Sequence, residues 1–185
     1  MPAVTNRLAA MSPGLNARLA GAFYLLTFLT GGLALVVRGR VGVASGLVAG
    51  GCYLGVTLLL YILLKPVSRN LSLLAALVSV AGIIIGPLPW QGVHSLVFFG
   101  VYCLLIGYLI VRSTFLPRVL GALMMFASLG WLTYLFPSFA ESLYPWVLGP
   151  GIIGEGALTL WLLAIGVDVP KWHEQAGAAR ASIRS

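Results

Sequence analysis

Six long segments without charge dominate this sequence and restrict its fold more than any other feature. Marking every Lys, Arg, Asp and Glu separates apolar stretches of about 20 residues, the length that a helix needs to cross a bilayer core of about 30 Å. These stretches lack the alternating polarity of membrane barrel strands. We therefore predict an all-α fold, a polytopic transmembrane helix bundle with six spans at residues 19–37, 41–64, 71–90, 93–111, 119–136 and 146–167.

The composition excludes a water-soluble fold. Charged residues make up 8% of the 185 residues and hydrophobic residues 60%, whereas a soluble domain has about 25% charged residues. A soluble domain of this length exposes too much surface to hide so many apolar side chains. The lipid bilayer is thus the predicted environment. The net charge of +7 is spread thinly along the chain, so we predict no nucleic-acid partner.

The distribution of Lys and Arg predicts the orientation. With the N-terminus in the cytoplasm, nine of the eleven cations fall on that side and only Arg38 and Arg40 lie outside, as the positive-inside rule requires. Both termini are then cytoplasmic. The predicted divisions are an N-terminal segment (1–18), a transmembrane domain (19–167) and a C-terminal tail (168–185), which should be an interfacial anchor with a flexible end.

Small residues predict where helices approach closely. The second span contains Gly42, Gly46 and Gly50 at four-residue spacing, followed by Gly51 and Gly55. Because helices in lipid associate through close packing of small residues, we expect the second span at the centre of the bundle. The third span contributes Gly82 and Gly86 at the same spacing. Alternatively, these glycines could form the contact face of a homodimer.

Glu155 is the most costly residue in the predicted spans. It lies about nine residues into the sixth span, roughly 13 Å below the outer boundary and so near the midplane. An acid at that depth should face the bundle interior and mark a site or pathway. Gly149, Pro150 and Gly151 open this span, and we expect a broken or kinked helix that exposes backbone groups. The alternative is a structural, hydrogen-bonded acid.

Other polar side chains are predicted to lie at the same depth. Counting about nine residues from the outer end of each span places six hydroxyl groups in one layer as candidates for ligand binding or proton transfer, those of Thr27, Thr30, Tyr53, Ser79, Tyr102 and Ser128. Each hydroxyl could instead bond to the backbone of its own helix.

His94 is a secondary candidate at the outer end of the fourth span. It follows Trp90 and Gln91, which favours an interfacial histidine in an aromatic belt over a titrating or metal-binding group. Cys52 and Cys103 lack the spacing of a zinc site, and no nucleotide-binding or hydrolase motif is present. We predict no metal, and the sequence identifies no cofactor.

Several segments resemble the bacterial membrane family known as domain of unknown function 4386. They include FFGVYCLLIGYLI at residues 98–110, RSTFLPRVLG at 112–121, and the pair Gly154 and Glu155. The resemblance implies a six-span protein of a bacterial cytoplasmic (inner) membrane, without an assigned activity. Members often have His at the position of Tyr102, and the Tyr here argues against a metal site or a His-based proton relay.

Three functions remain open at this stage. The first is a protein that binds or passes a small apolar or amphiphilic ligand around Glu155. The second is a non-catalytic subunit or assembly partner of a larger membrane complex, supported by the small-residue faces. The third, a membrane-embedded enzyme, would need a second catalytic group beside Glu155, and we consider it the least favoured.

Overall fold

The structure, a computed structural model, describes residues 12–87 and 94–184 of the chain. Within these ranges the regular structure is helical throughout and contains no strand, which confirms the predicted all-α class. Two 3-10 turns, Thr133–Leu135 and Trp146–Leu148, extend neighbouring helices. The helices are α1 (Pro13–Val36), α2 (Arg40–Leu64), α3 (Arg69–Ile85), α4 (Ser95–Arg112), α5 (Arg118–Leu132), α6 (Pro137–Ser142), α7 (Gly149–Ala164) and α8 (Val169–Arg184).

Five of the described helices are long and apolar enough to cross a bilayer: α1, α2, α4, α5 with its following turn, and α7 with its preceding turn. The third predicted span, residues 71–90, corresponds to α3, which is apolar but only 17 residues long. At 1.5 Å per residue α3 covers about 25 Å. The predicted end of that span, residues 88–90, and Gln91 beside it lie outside the described residues.

Local sequence signals explain where the helices begin. The Ser12 hydroxyl accepts a hydrogen bond from the Leu15 amide at the start of α1, and the Ser68 hydroxyl accepts one from the Leu71 amide at the start of α3. These side chains satisfy backbone N–H groups that have no partner in the first helical turn. Gly39, with φ of 78°, makes the turn between α1 and α2 that a residue with a Cβ would strain.

Six helices form a closed ring in which each packs against two neighbours. The order around the ring is α1, α2, α3, α4, α5, α7 and back to α1. Side chains from opposite helices, such as Tyr53 of α2 and Tyr102 of α4, meet in the middle. The expectation that α2 is the central helix is therefore wrong, because the centre of the ring is filled by side chains.

The glycines of α2 are used only in part for close helix approach, because a Cβ on Gly42 would clash with the Val37 carbonyl oxygen at the end of α1 and one on Gly55 would lie 3.3 Å from the Phe23 ring. Gly46 and Gly51 are exposed, and a Cβ at Gly51 would meet no described atom within 4 Å. By contrast, a Cβ on Gly107 of α4 would lie 2.7 Å from the Gly121 carbonyl oxygen of α5. The expectation for α3 is supported, since a Cβ on Gly82 would lie 2.8 Å from Phe98 Cβ of α4.

The C-terminal tail is a helix, where the sequence suggested a flexible end. Asp168 precedes α8, and its carboxylate accepts a hydrogen bond from the Lys171 amide and pairs with the Lys171 ammonium at 2.9 Å. Hydrogen bonds from Lys171 lower the pKa of the Asp168 carboxyl group. The Trp172 indole N–H donates to the Leu63 carbonyl oxygen, and the Gln175 side chain accepts from Thr114. These contacts hold α8 across the end of the ring.

Candidate functional site

Glu155 lies inside the ring, as its cost in a bilayer predicts. Its side chain is 5% exposed. One carboxyl oxygen, Oε2, accepts a hydrogen bond from the Tyr24 hydroxyl of α1 at 3.0 Å, and the other, Oε1, accepts one from the Trp131 indole N–H of α5 at 2.7 Å. The Cys103 thiol of α4 also interacts with the carboxyl group. Helices α1, α4 and α5 therefore contribute groups around the acid of α7.

The helix that carries Glu155 is continuous, contrary to the predicted break. Pro150 occupies the first turn of α7, where a missing backbone N–H removes no hydrogen bond. The 3-10 turn at Trp146–Leu148 lies before that point. The Glu155 carbonyl oxygen accepts a hydrogen bond from the Thr159 hydroxyl, so the backbone at the acid is not freed for a ligand.

An aromatic cluster extends from Glu155 across the centre of the ring. The Tyr24 and Tyr53 rings meet edge to face with centroids 5.7 Å apart, and Tyr53 packs in turn against Tyr102 at 5.8 Å. Phe99 approaches Tyr53 at 4.8 Å. The structure thus brings three candidates, Glu155, Tyr53 and Tyr102, into one buried group that we call the central cluster, made of Tyr24, Tyr53, Phe99, Tyr102, Cys103, Trp131 and Glu155.

Two hydroxyl groups in the central cluster have unused hydrogen-bonding capacity. Tyr53 and Tyr102 are 3% and 1% exposed, and neither hydroxyl has a hydrogen-bond partner among the described residues. A buried hydroxyl without a partner is costly and uncommon in proteins. Both hydroxyls are therefore available for a hydrogen bond to a further group.

The remaining candidate hydroxyls divide into one that bonds to a side chain of another helix and three that bond to the backbone of their own helix. Ser79 of α3 shares a 2.7 Å hydrogen bond with Thr57. Thr27, Thr30 and Ser128 donate to carbonyl oxygens of their own helices, at Phe23, Leu26 and Met125. Their hydroxyls are thus already used in the way that Ser and Thr commonly are inside helices.

His94 caps a helix. Its Nδ1 accepts a hydrogen bond from the Leu96 amide at the start of α4, and its exposed ring stacks on Tyr134 at 4.7 Å. This geometry agrees with the interfacial interpretation and uses one ring nitrogen in a structural bond. Among the described residues, no three His, Cys, Asp or Glu side chains come together as metal ligands.

Tyr24 and Trp131 are the contacts of Glu155 that depth counting missed. Counting residues compares backbone positions, whereas the Tyr and Trp rings carry their polar atoms several ångströms from the backbone. A usable signal was present, because a buried Tyr or Trp in an apolar span needs a partner for its O–H or N–H. Pairing such residues with the single intramembrane acid would have suggested both hydrogen bonds.

The apolar helices and the buried acid at their centre define a helical membrane protein. Comparison with known proteins identifies its family. Residues 89–166 match the family described as domain of unknown function (DUF4386). The chain is also 32% identical over 123 residues to an uncharacterised protein of the archaeon Archaeoglobus fulgidus, covering 60% of this chain and 75% of the relative.

The chain belongs to the domain of unknown function 4386 family. The matched region includes the turn at residues 112–118, between α4 and α5, and also Glu155 of α7. Tyr24 and Tyr53, which complete the central cluster, lie outside it. No solved structure matches the chain.

Proposed function

We propose that this protein binds or passes a small amphiphilic molecule at a midplane site around Glu155. The observation that carries the proposal is a carboxyl group buried among membrane-spanning helices and held by two neutral donors, Tyr24 and Trp131. Ionisable groups inside a membrane are costly and are usually kept for binding, transport or proton transfer.

The positions of the charged residues support a ligand or a proton as the group that neutralises the Glu155 carboxylate. Within the described residues the only ion pair joins Lys171 and Asp168, and the described Lys and Arg residues lie in turns or near helix ends. A carboxylate in the ring therefore has no counter-ion among the described residues. A proton or a cationic group on the ligand would neutralise it, which makes occupancy sensitive to pH.

The surrounding rings favour a ligand with both polar and apolar parts. Tyr53 and Tyr102 offer buried hydroxyls to a polar group, while Phe99 and the ring faces of the tyrosines suit apolar or cationic groups. The rings touch one another in this structure, so binding requires them to separate. An amphiphile with a hydrogen-bonding or cationic head meets all of these requirements.

The proposed site assumes a six-span topology with both termini in the cytoplasm of a bacterium. The closed ring supports six spans, because α3 fills a place between α2 and α4 equivalent to that of the longer helices. A bilayer accommodates a span of about 25 Å by local thinning. The nine cations assigned to one side by the sequence support the orientation.

The test is native mass spectrometry of the protein released from mild detergent. Wild type should retain a molecule of defined mass that Glu155→Gln loses, because Gln cannot carry the negative charge. Glu141→Gln is the matched control, since Glu141 is an exposed acid on α6 and its loss changes the net charge equally. Circular dichroism and gel filtration check that each variant folds. A bare protein in every sample would make Glu155 a structural acid.

A second candidate function is that of a subunit in a membrane complex. The exposed Gly46 and Gly51 leave open space along α2, and exposed small residues in a membrane helix suit contact with another helix. Replacing both by Leu should then release a second chain from the purified protein. Purification of the wild type as a monomer without any other chain would contradict this function.

A further inference from the structure

A cavity lies away from the central cluster, between the start of α1, the end of α2 and the crossing helix α8. It has a volume of about 430 Å³, within the usual range for small-molecule sites of roughly 300–1,000 Å³. Its apolar wall includes Ile62, Leu63 and Trp172. Its polar lining includes Asn16, His173 and Arg180. We call this cavity the α8 groove.

The lining of the α8 groove combines apolar and cationic side chains. The apolar wall comes mainly from α2 and from the inner face of α8, where Ala176 is buried. The exposed His173 and Arg180 lie on α8. Arg binds phosphate through a planar fork of N–H donors, and the imidazole of His173 can donate an N–H as well. An apolar chain beside a phosphate matches this arrangement.

A hydrogen bond and a buried side chain help to fix the walls of the α8 groove. The Trp172 indole N–H donates to the Leu63 carbonyl oxygen at 2.8 Å and so joins α8 to the end of α2. Asn16 in the first turn of α1 is 3% exposed. The α8 groove is therefore built between three helices and does not depend on a single loop.

We infer that the α8 groove binds one anionic phospholipid, with its phosphate at Arg180 and His173 and an acyl chain along Ile62, Leu63 and Trp172. Charge complementarity selects this occupant. The N-terminal segment of the chain, residues 1–11, precedes Ser12 at the rim and would be another occupant, but it contains Arg7 and no acid. Two cationic partners would repel one another, whereas an anionic lipid is attracted.

The inference is tested by titrating the detergent-solubilised full chain with dioctanoyl phosphatidylglycerol and counting bound lipids by native mass spectrometry. One lipid should bind in preference to dioctanoyl phosphatidylcholine. Arg180→Gln should weaken that binding roughly tenfold, because one charge-assisted hydrogen bond is lost. Arg69→Gln, which removes an exposed cation outside the groove, should leave it unchanged. His173→Gln provides a second variant if Arg180→Gln fails to fold.

Three outcomes would overturn the inference. Equal binding of phosphatidylcholine would show that negative charge is not recognised. Equally tight binding of inorganic phosphate would show that the apolar wall contributes nothing. Tighter lipid binding after deletion of residues 2–11 would assign the groove to the N-terminal segment. None of these outcomes involves Glu155, so the midplane proposal stands or fails separately.

Discussion

At the scale of the residue, Glu155 shows how a buried acid is retained among apolar helices. Each carboxyl oxygen receives one hydrogen bond, from Tyr24 and from Trp131. Hydrogen bonds to a charged acceptor are stronger than those between neutral groups, and losing one leaves a buried oxygen without a partner. The two donors therefore stabilise the fold whether or not a ligand binds.

Tyr24 and Tyr53 offer a matched pair of substitutions. Tyr24→Phe removes a donor to Glu155 and should lower the free energy of unfolding by about 1–2 kcal/mol. Tyr53→Phe removes a hydroxyl without a described partner, so it should leave stability nearly unchanged and weaken ligand binding instead. Thermal unfolding in mild detergent measures the first effect, and retention of the bound molecule measures the second. Equal destabilisation by both variants would show that the Tyr53 hydroxyl has a structural partner.

At the scale of the element, the two glycines that flank Glu155 have opposite surroundings on the same helix. A Cβ at Gly154 would clash with the Leu123 carbonyl oxygen and lie 2.8 Å from Ala127 Cβ, both on α5. A Cβ at Gly156 would meet no described atom within 4 Å. Gly154 thus allows α7 to lie close to α5, which in turn allows the Trp131 indole N–H to donate to Glu155.

Alanine substitutions at these positions test that role. Gly154→Ala should push α7 from α5 and lower the free energy of unfolding by about 1–3 kcal/mol, as overpacking of a core does. Gly156→Ala should be neutral or slightly stabilising, because Ala has the higher helix propensity. Thermal unfolding of both variants provides the comparison. If Gly156→Ala is as destabilising as Gly154→Ala, an unseen partner must cover that face.

At the scale of the whole molecule, the closed ring explains why the polar groups converge. Each spanning helix contributes one face to the interior, and long aromatic side chains from α1, α2 and α4 fill it. The helix α8 crosses one end of this ring through Trp172 and Gln175. The opposite end carries α6, with Phe136, Phe139 and Trp146 exposed around it, as in an interfacial aromatic belt.

The proposed orientation can be tested on intact cells. A membrane-impermeant maleimide should label Arg38→Cys from outside and should label Arg69→Cys only after the membrane is opened, because the positive-inside rule places these turns on opposite sides. The wild-type chain is the background control, since Cys103 is fully buried and Cys52 is half-buried within α2. Labelling with the reverse preference would place both termini outside.

The sequence by itself determined the all-α class, most helix positions and the acid that is buried inside the ring. The length of an uncharged apolar segment predicts a membrane span, because the bilayer core cannot solvate backbone or charged groups. The same cost makes Glu155 conspicuous among apolar neighbours. The turns at Lys65 and between Arg112 and Arg118 likewise follow from Pro and cations at helix ends. Each of these signals depends on neighbouring residues or on the bilayer, so it can be recognised in a single sequence without the tertiary structure.

Only the tertiary structure decided which helices are neighbours and which polar groups meet. The sequence assigned the close packing to glycines of α2 and α3, yet Gly46 and Gly51 of α2 are exposed, whereas Gly154 and Gly107 pack tightly against α5. Depth counting grouped Thr27 and Thr30 with Glu155, although their hydroxyls bond to their own helix. Rotation about each helix axis decides whether a residue of given depth faces the ring or the lipid. In spans that are apolar on every face, periodicity does not report that rotation, so packing alone selects Tyr24 and Trp131 as the partners of the acid.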